Sequence, residues 1–440
     1  MTALVYTLGV VLFLSGLLAS IALHEVGHMW PAKKFGVKVT QYFVGFGKTI
    51  WSVRRGDTEY GVKAFPLGGF IRMAGMLPPA KDGGGGSGGR ANSGGFFTRM
   101  IADARAAEAS ETNATPEARH FYRQAWWKKV IVMSGGPMMN VVLAVLLLTG
   151  VFMGIGIKAP TLTVSQVSDC VIPASEGARA CRVAPDADPD PLSPAREAGF
   201  RAGDTIVSLD GEAVSSWDAF STAIRDKAGQ QIDVVVERGG QTTTLTPTPL
   251  VSERPDLEDP TTFVQVGFLG ITPDETRQRQ DAGYVVATFG DYTKRTGEAL
   301  LHMPERMAGV SKAALGIEER DPESPMSVVG ASRVAGEVAS DERIDVTDRW
   351  VALLTLLGIV NLFVALFNFI PLLPLDGGHI AGALYEAARR GIARLRGRPD
   401  PGYADVAKML PVAYTVAMVL IVAGVILIWA DIVSPIRLTG

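Results

Sequence analysis

Ala19-Ser20-Ile21-Ala22-Leu23-His24-Glu25-Val26-Gly27-His28 is the stretch on which the reading of this chain turns. It closes a run of 23 residues, Met1 to Leu23, without a single Asp, Glu, Lys or Arg. A helix needs roughly 18–20 apolar residues to cross a bilayer core of about 30 Å, so the run is long enough to span one. It then ends on three ionisable side chains, His24, Glu25 and His28. A secretory leader would carry a basic start, a shorter apolar run and a small-x-small cleavage site, none of which is present. The segment is therefore expected to be a retained span.

Three more charge-free runs lie further along: Val130–Ile157, Val351–Leu375 and Met409–Ala430, of 28, 25 and 22 residues. With a mean hydropathy of +0.21, 47% hydrophobic and 20% charged residues, a wholly soluble, collagenous or disordered chain is excluded. The expected fold is a multi-span α-helical membrane protein with four transmembrane helices. The boundaries read 1–29 for the first helix, 30–129 for a cytoplasmic loop that dips into the membrane, and 130–157 for the second helix. An extracytoplasmic module follows at 158–255 and a further external segment at 256–350. The third helix is 351–375, a basic loop 376–408 and the fourth helix 409–431.

Charge orients these pieces. Residues 30–129 hold 16 Lys and Arg against 7 Asp and Glu, residues 158–350 hold 19 against 32, and residues 376–408 hold 6 against 4. Lys33, Lys34, Lys38, Lys128 and Lys129 flank span ends, where the positive-inside rule weighs them most. The two basic loops are thus expected in the cytoplasm, and the N-terminus and acidic segment outside. Topology accounts for the basic residues, so no nucleic-acid partner is expected. Both cysteines, Cys170 and Cys181, fall in the external segment, where an oxidising environment favours a disulfide over two free thiols.

Between the first two spans, Thr40–Phe46, Thr49–Arg54 and Tyr60–Phe65 read as short strands, with glycine turns at Gly45–Gly47, Gly56–Asp57 and Gly68–Gly69. Lys81–Gly95 is a Gly/Ser-rich tether, and Met100–Arg123 reads as a polar helix. In the external segment, Thr161–Val167, Pro194–Leu209, a helix at Ser216–Lys227 and a hairpin at Ile232–Glu237 and Thr242–Thr246 form one small α/β module. Beyond it lie a strand at Phe263–Ile271 and an amphipathic helix near Thr293–Leu315. There is no internal repeat.

The chemistry sits at the end of the first span. Histidines four apart are offset by about 40° around a helix, so both imidazoles reach one metal ion, with Glu25 beside them as general base. Ionisable groups at that depth are costly, which argues against residues that merely end the helix. A zinc site needs a third protein ligand. Asp376 is the candidate, directly after the third charge-free run in Asn368-Phe369-Ile370-Pro371-Leu372-Leu373-Pro374-Leu375-Asp376-Gly377-Gly378-His379. First and third spans run in the same direction, so both motifs end at one membrane face. The competing reading makes Asp376 the start of an ordinary Asp-Gly turn. His379 reads as a supporting or interfacial group, and His120 and His302 as residues of solvated helices.

Taken together, these motifs resemble the bacterial site-2 proteases, intramembrane zinc metalloproteases, along most of the chain. His24–His28 and Asn368–Gly378 resemble the family's two signatures. Gly45-Phe46-Gly47 resembles its membrane-dipping hairpin, and Pro66-Leu67-Gly68-Gly69-Phe70 the strand turn after it. Ser134-Gly135-Gly136-Pro137-Met138-Met139-Asn140 resembles the entry to the second span, and Ala198–Ile206 the turn of a PDZ domain, present once as in actinobacterial members. One departure is Pro374, three residues after Pro371 where the family often has two, which leaves the local backbone path open. The resemblance implies a membrane-associated β-hairpin, an extracytoplasmic PDZ-like domain, a Zn2+ cofactor held by His24, His28 and Asp376, and Glu25 as the catalytic base. It implies that Asn368, Pro371, Gly45 and Gly47 bind substrate, with a strand edge at Tyr42–Gly47 holding it extended. The substrate would be a single-pass membrane protein of the anti-sigma factor type, in the lipid bilayer, already cut outside by a site-1 protease. A transporter using the histidines for cations, or a PDZ adaptor with an inactive site, is the competing reading. The missing inverted repeat and the intact motif count against both.

Overall fold

A computed structural model describes residues 2–79, 96–112, 115–177, 179–182, 189–257 and 262–436; the Gly/Ser-rich tether lies outside them. The chain divides into two compact units, Met1–Ile155 with Gln280–Gly440, and Gly156–Arg279.

The first unit is built on helices. α1 (Thr2–Lys34) leads into strands β1 (Val39–Arg55) and β2 (Thr58–Met73), then helix α2 (Phe96–Thr112) and helix α3 (Trp126–Thr149), extended by a π-helical turn to Ile155. Four helical segments among the described residues are long and apolar enough to cross a membrane: Thr2–Lys34, Trp126–Ile155, Val346–Asn368 and Val406–Val433. Their contacts follow the small-residue logic of membrane helices, where lipid supplies no hydrophobic drive and close backbone approach supplies packing instead. A Cβ on Gly27 would stand 2.3 Å from the carbonyl oxygen of Gly135, so α1 and α3 nearly touch backbones there.

β1 and β2 form more than a simple hairpin. Tyr42 pairs with both Ile71 and Tyr60, Phe43 with Phe70 and Gly61, and Val44 with Gly69 and Val62. The register shifts around Gly45 and Gly47, whose φ angles of +94° and +88° suit glycine. The two strands thus fold into four segments, ordered 69–73, 39–46, 58–63 and 49–55. Tyr42–Val44 is an inner segment with both flanks paired, so the expected substrate edge at Tyr42–Gly47 is corrected: the outer segment of the sheet beside it is Gly69–Met73. The Tyr42 hydroxyl donates to the carbonyl of Ala22 over 2.9 Å, pinning the sheet to α1.

The predicted helix to Arg123 ends at Thr112, and two 3₁₀ turns, Glu117–Arg119 and Phe121–Arg123, follow Pro116. Proline disfavours a helical residue before it and donates no N–H. Phe121 and Tyr122 then donate to the carbonyls of Ala74 and Gly75, at 2.8 and 3.0 Å. That contact buries His120 against Gly75, correcting its solvated reading; His302 is exposed.

The second unit opens with β3 (Ile157–Val167), short helix α4 (Pro194–Glu197), β4 (Thr205–Leu209), β5 (Glu212–Ala213) and helix α5 (Trp217–Asp226). It continues with β6 (Val234–Arg238), β7 (Gln241–Leu245), β8 (Leu250–Pro255), β9 (Phe263–Phe268) and β10 (Ile271–Gln278). Its main sheet is ordered β10-β3-β4-β6-β7, antiparallel throughout, and β8 pairs separately with β9. Phe200, Ile206, Phe220, Ile224, Ile232, Val234 and Val236 form its buried core. Cys170 and Cys181 are joined by a disulfide.

Back in the first unit come α6 (Ala282–Leu301), α7 (Met303–Ala314), α8 (Val328–Ser340), α9 (Val346–Asn368), α10 (Asp376–Leu395) and α11 (Leu410–Val433). The single helix expected at 293–315 breaks at His302, because Pro304 lacks an N–H and its ring crowds the preceding turn. α8 follows a buried ion pair of Arg320 with Asp431 on α11, at 2.7 Å. The Asp431 carboxylate also accepts the backbone N–H of Ser327 and Gly330, capping α8 from a different helix. α9 crosses α1 where Leu357 meets Gly16 and where Asn361 donates to the Ser20 hydroxyl over 3.0 Å.

Candidate metal centre

His24 and His28 occupy one face of the last turns of α1, and Asp376 is the first residue of α10. Gly377 and Gly378 let α10 begin tight against the Phe369–Leu373 turn: a Cβ at either would lie 2.2 Å from the Ile370 oxygen or 2.5 Å from the Leu373 nitrogen. The Nε2 atoms of the histidines are 3.2 Å apart, and each is 3.3 Å from Oδ2 of Asp376. Bonds of about 2.0–2.1 Å to a tetrahedral zinc put ligand atoms about 3.3–3.4 Å apart, so the triangle has the size of one tetrahedral face. Asp376 Oδ2 is buried and accepts no hydrogen bond from the described residues, as a metal-directed oxygen would. These three residues fit zinc.

Their far sides are also held. His28 Nδ1 lies 2.8 Å from the carbonyl oxygen of Val132, which as an acceptor requires the proton on Nδ1 and leaves the Nε2 lone pair facing inward. His24 Nδ1 meets Asn140 Oδ1 at 3.3 Å with the same consequence. Asn140 closes the Ser134–Asn140 motif, whose pattern alone assigns it no role. Its signal was an amide inside a charge-free run, costly there unless paired.

Glu25 projects toward β2: a Cβ on Gly69 would lie 3.1 Å from its Cγ. A cavity of about 250 Å³ brings together His24, Glu25, Gly68, Gly69, Asn140 and Asn368. Asn368 therefore lies on the same cavity as Glu25, with its Nδ2 donating to the Val364 carbonyl over 3.0 Å. Pro371 sits in the turn between α9 and α10, and Gly45 and Gly47 sit in β1; these three do not line the cavity. A Cβ on Gly45 would meet the Phe65 oxygen at 2.8 Å, so Gly45 serves the sheet's own packing. His379 borders a separate cavity of about 20 Å³ with Lys129 and Glu386.

The sequence profile of peptidase family M50 matches residues 12–400. The chain belongs to peptidase family M50. Among the relatives of this peptidase, the zinc metalloprotease Rip1 of Mycobacterium tuberculosis is 34% identical over 448 residues, covering 99% of this chain and all of the relative. Rip1 of Mycolicibacterium smegmatis is 33% identical with the same coverage. The zinc metalloprotease RasP of Oceanobacillus iheyensis is 24% identical, over 84% of this chain and 88% of its own. The peptidase is thus an intramembrane zinc metalloprotease and a multi-pass membrane protein, acting on membrane-embedded substrates.

Proposed function

We propose that His24, His28 and Asp376 hold the zinc ion and that Glu25 is the general base of peptide hydrolysis. The observation that carries this is the triangle of ligand atoms beside a cavity shared by Glu25 and Asn368. Zinc, when bound, supplies Lewis acidity, lowering the pKa of a water and polarising a carbonyl. Glu25 takes the proton from the attacking water and returns it to the leaving nitrogen. The cavity's volume and its asparagines give water room at membrane depth. Asn368 releases its own helix carbonyl to hold the substrate backbone near the scissile bond. The Gly69–Met73 edge, next to Glu25, pairs with the substrate as an added strand and satisfies backbone groups freed when its helix unwinds. Pro371, Gly45 and Gly47 act through the shape of the turn and sheet around that substrate.

The second unit we assign as a PDZ-like module, extended from 158–255 to Gly156–Arg279 because β9 and β10 pair with β8 and β3. It acts outside the cell as a gate, with the N-terminus also outside and the metal centre near the cytoplasmic face. The substrates are single-pass proteins of the anti-sigma factor type, trimmed first by a site-1 protease. The test is cleavage of a co-reconstituted, trimmed single-pass fragment by wild type and by Glu25→Gln, with zinc measured in both. Product from the wild type alone, with one zinc per chain in each, is the expected result. A Glu25→Gln protein that still cleaves sinks the general-base assignment.

A further inference from the structure

One face of α3 serves the metal centre. Lys129, Val132, Gly136 and Asn140 recur at helical spacing and are all buried. The Val132 carbonyl orients His28, Asn140 orients His24, and the bare Cα of Gly136 leaves room for both Nε2 atoms. The third oxygen comes from another helix. Asp376 opens α10, and the Phe369–Leu373 turn fixes that start against the end of α9. The spacing of Asp376 from the α3 side then depends on how α10 seats along α3.

α10 packs along α3 in the opposite direction. From Asp376, across the histidines from Gly136, it runs back to Glu386, which meets Lys129. These two points are seven residues apart on α3 and ten on α10, about 10 and 15 Å of helix. Between them Ile380 joins the apolar cluster of Val132 and Met133, and Ala383 is buried. Apolar contacts of this kind tolerate sliding, whereas a buried polar contact specifies register.

Among the described residues, Lys129 Nζ to Glu386 Oε2, at 2.8 Å, is the one hydrogen bond between α3 and α10. The two side chains are 7% and 2% exposed. Taking both charges out of water costs about as much as their attraction returns, so stability does not account for the pair; fixing register does. Glu386 has further support of its own. The Ala404 N–H donates to Oε2, and Arg390 stands 3.2 Å from Oε1.

We propose that Lys129 and Glu386 are positioning residues for Asp376. Their hydrogen bond locks the register of α10 on α3 and so holds Oδ2 of Asp376 at 3.3 Å from both histidine Nε2 atoms. This rests on the ligand set assigned above. A slip of one residue moves a helix by about 1.5 Å, against about 0.2 Å of tolerance in a metal–ligand distance.

Lys129→Met and Lys129→Gln have nearly the same shape, but only the Gln side chain can donate to Glu386, which keeps Arg390 beside it in both. Zinc affinity of the full-length protein in micelles is read by chelator competition, with the zinc-free unfolding midpoint alongside. Lys129→Met is expected to bind zinc about 10- to 100-fold more weakly than Lys129→Gln. Lys129→Gln should match the wild type, and the two zinc-free midpoints should agree. Cobalt-substituted protein should show four-coordinate absorbance in wild type and Lys129→Gln, weakened in Lys129→Met. Equal affinities in the two variants overturn the register lock. So does a Lys129→Met protein whose zinc-free midpoint falls well below that of Lys129→Gln, because the loss is then one of fold. Asp376→Asn at wild-type affinity would instead remove the ligand set, so the two failures are distinct.

Discussion

A Cβ at position 136 would lie 2.2 Å from Nε2 of His28 and 2.6 Å from Nε2 of His24, the two atoms a zinc ion would bind. Gly136→Ala is therefore expected to abolish stoichiometric zinc binding while leaving the chain membrane-inserted. Asn140→Ala is milder: the imidazole of His24 loses the acceptor that orients it, and zinc affinity is expected to fall by about 10- to 100-fold. Competition against a chelator of known affinity measures both, and wild-type affinity in Asn140→Ala would remove that residue from the site. The histidines and Glu25 were legible because i, i+4 spacing is a one-dimensional signal. Asp376 was legible because depth can be counted along a charge-free run. Asn140 and Gly136 were not, since their roles exist only where α3 crosses α1.

At the scale of elements, the strands of the hairpin could be read from alternation, but their order could not. β1 pairs on both sides because the chain turns at Gly45 and Gly47 and then returns through Gly68, and no local pattern states which edge is left over. α8 was missed for a similar reason: its small residues Gly336 and Ala339 pack on Tyr6 and Gly9, a face that has no strongly apolar periodicity of its own. The second unit was easier, its alternating strands and Asp210–Gly211 turn marking a compact sheet. One of its buried carboxylates makes a pH prediction. Burial alone would raise the pKa of Asp204, but the Arg238 guanidinium, at 2.6 and 2.8 Å, and the Arg201 N–H hold it below the ordinary value. A carboxylate with a lowered pKa stabilises the fold while ionised. Its contribution is complete above the unfolded value of about 3.9 and is lost as pH falls through the lower folded value. Hydrogen exchange at Thr205–Leu209 and Val234–Arg238, corrected for intrinsic rates, should show protection falling in that acid range. Asp204→Asn should lose about 2 kcal/mol of this protection at neutral pH. Unchanged protection in the variant would mean that the pair adds nothing to the fold.

For the whole molecule, one feature bears on orientation and another marks the two interface levels. One is charge: residues 30–129 carry an excess of nine positive groups and residues 158–350 an excess of thirteen negative ones. The other is the aromatic residues, which fall at two levels. Trp30 follows the Gly27–Gly135 crossing on α1, and Trp126 and Trp127 precede it on α3, at one end of the helices. Trp350 opens α9 ahead of its Leu357–Gly16 contact, and Trp429 lies beside Asp431, whose partner helix α8 packs on Gly9; both belong to the other end. The basic residues Lys33, Lys34, Lys128 and Lys129 share the first end, which by the positive-inside rule supports the proposed placement of that end toward the cytoplasm. The same end carries His24, His28 and Asp376, which would put peptide hydrolysis near the inner leaflet. Single cysteines test this, because the native pair is bridged and silent. In intact cells, an impermeant maleimide should label Gln241→Cys at once and Arg55→Cys only after the membrane is opened; both positions are exposed. The reverse pattern would invert the molecule. It would leave the metal centre intact, but it would move the second unit to the cytoplasm and end its assignment as an external gate.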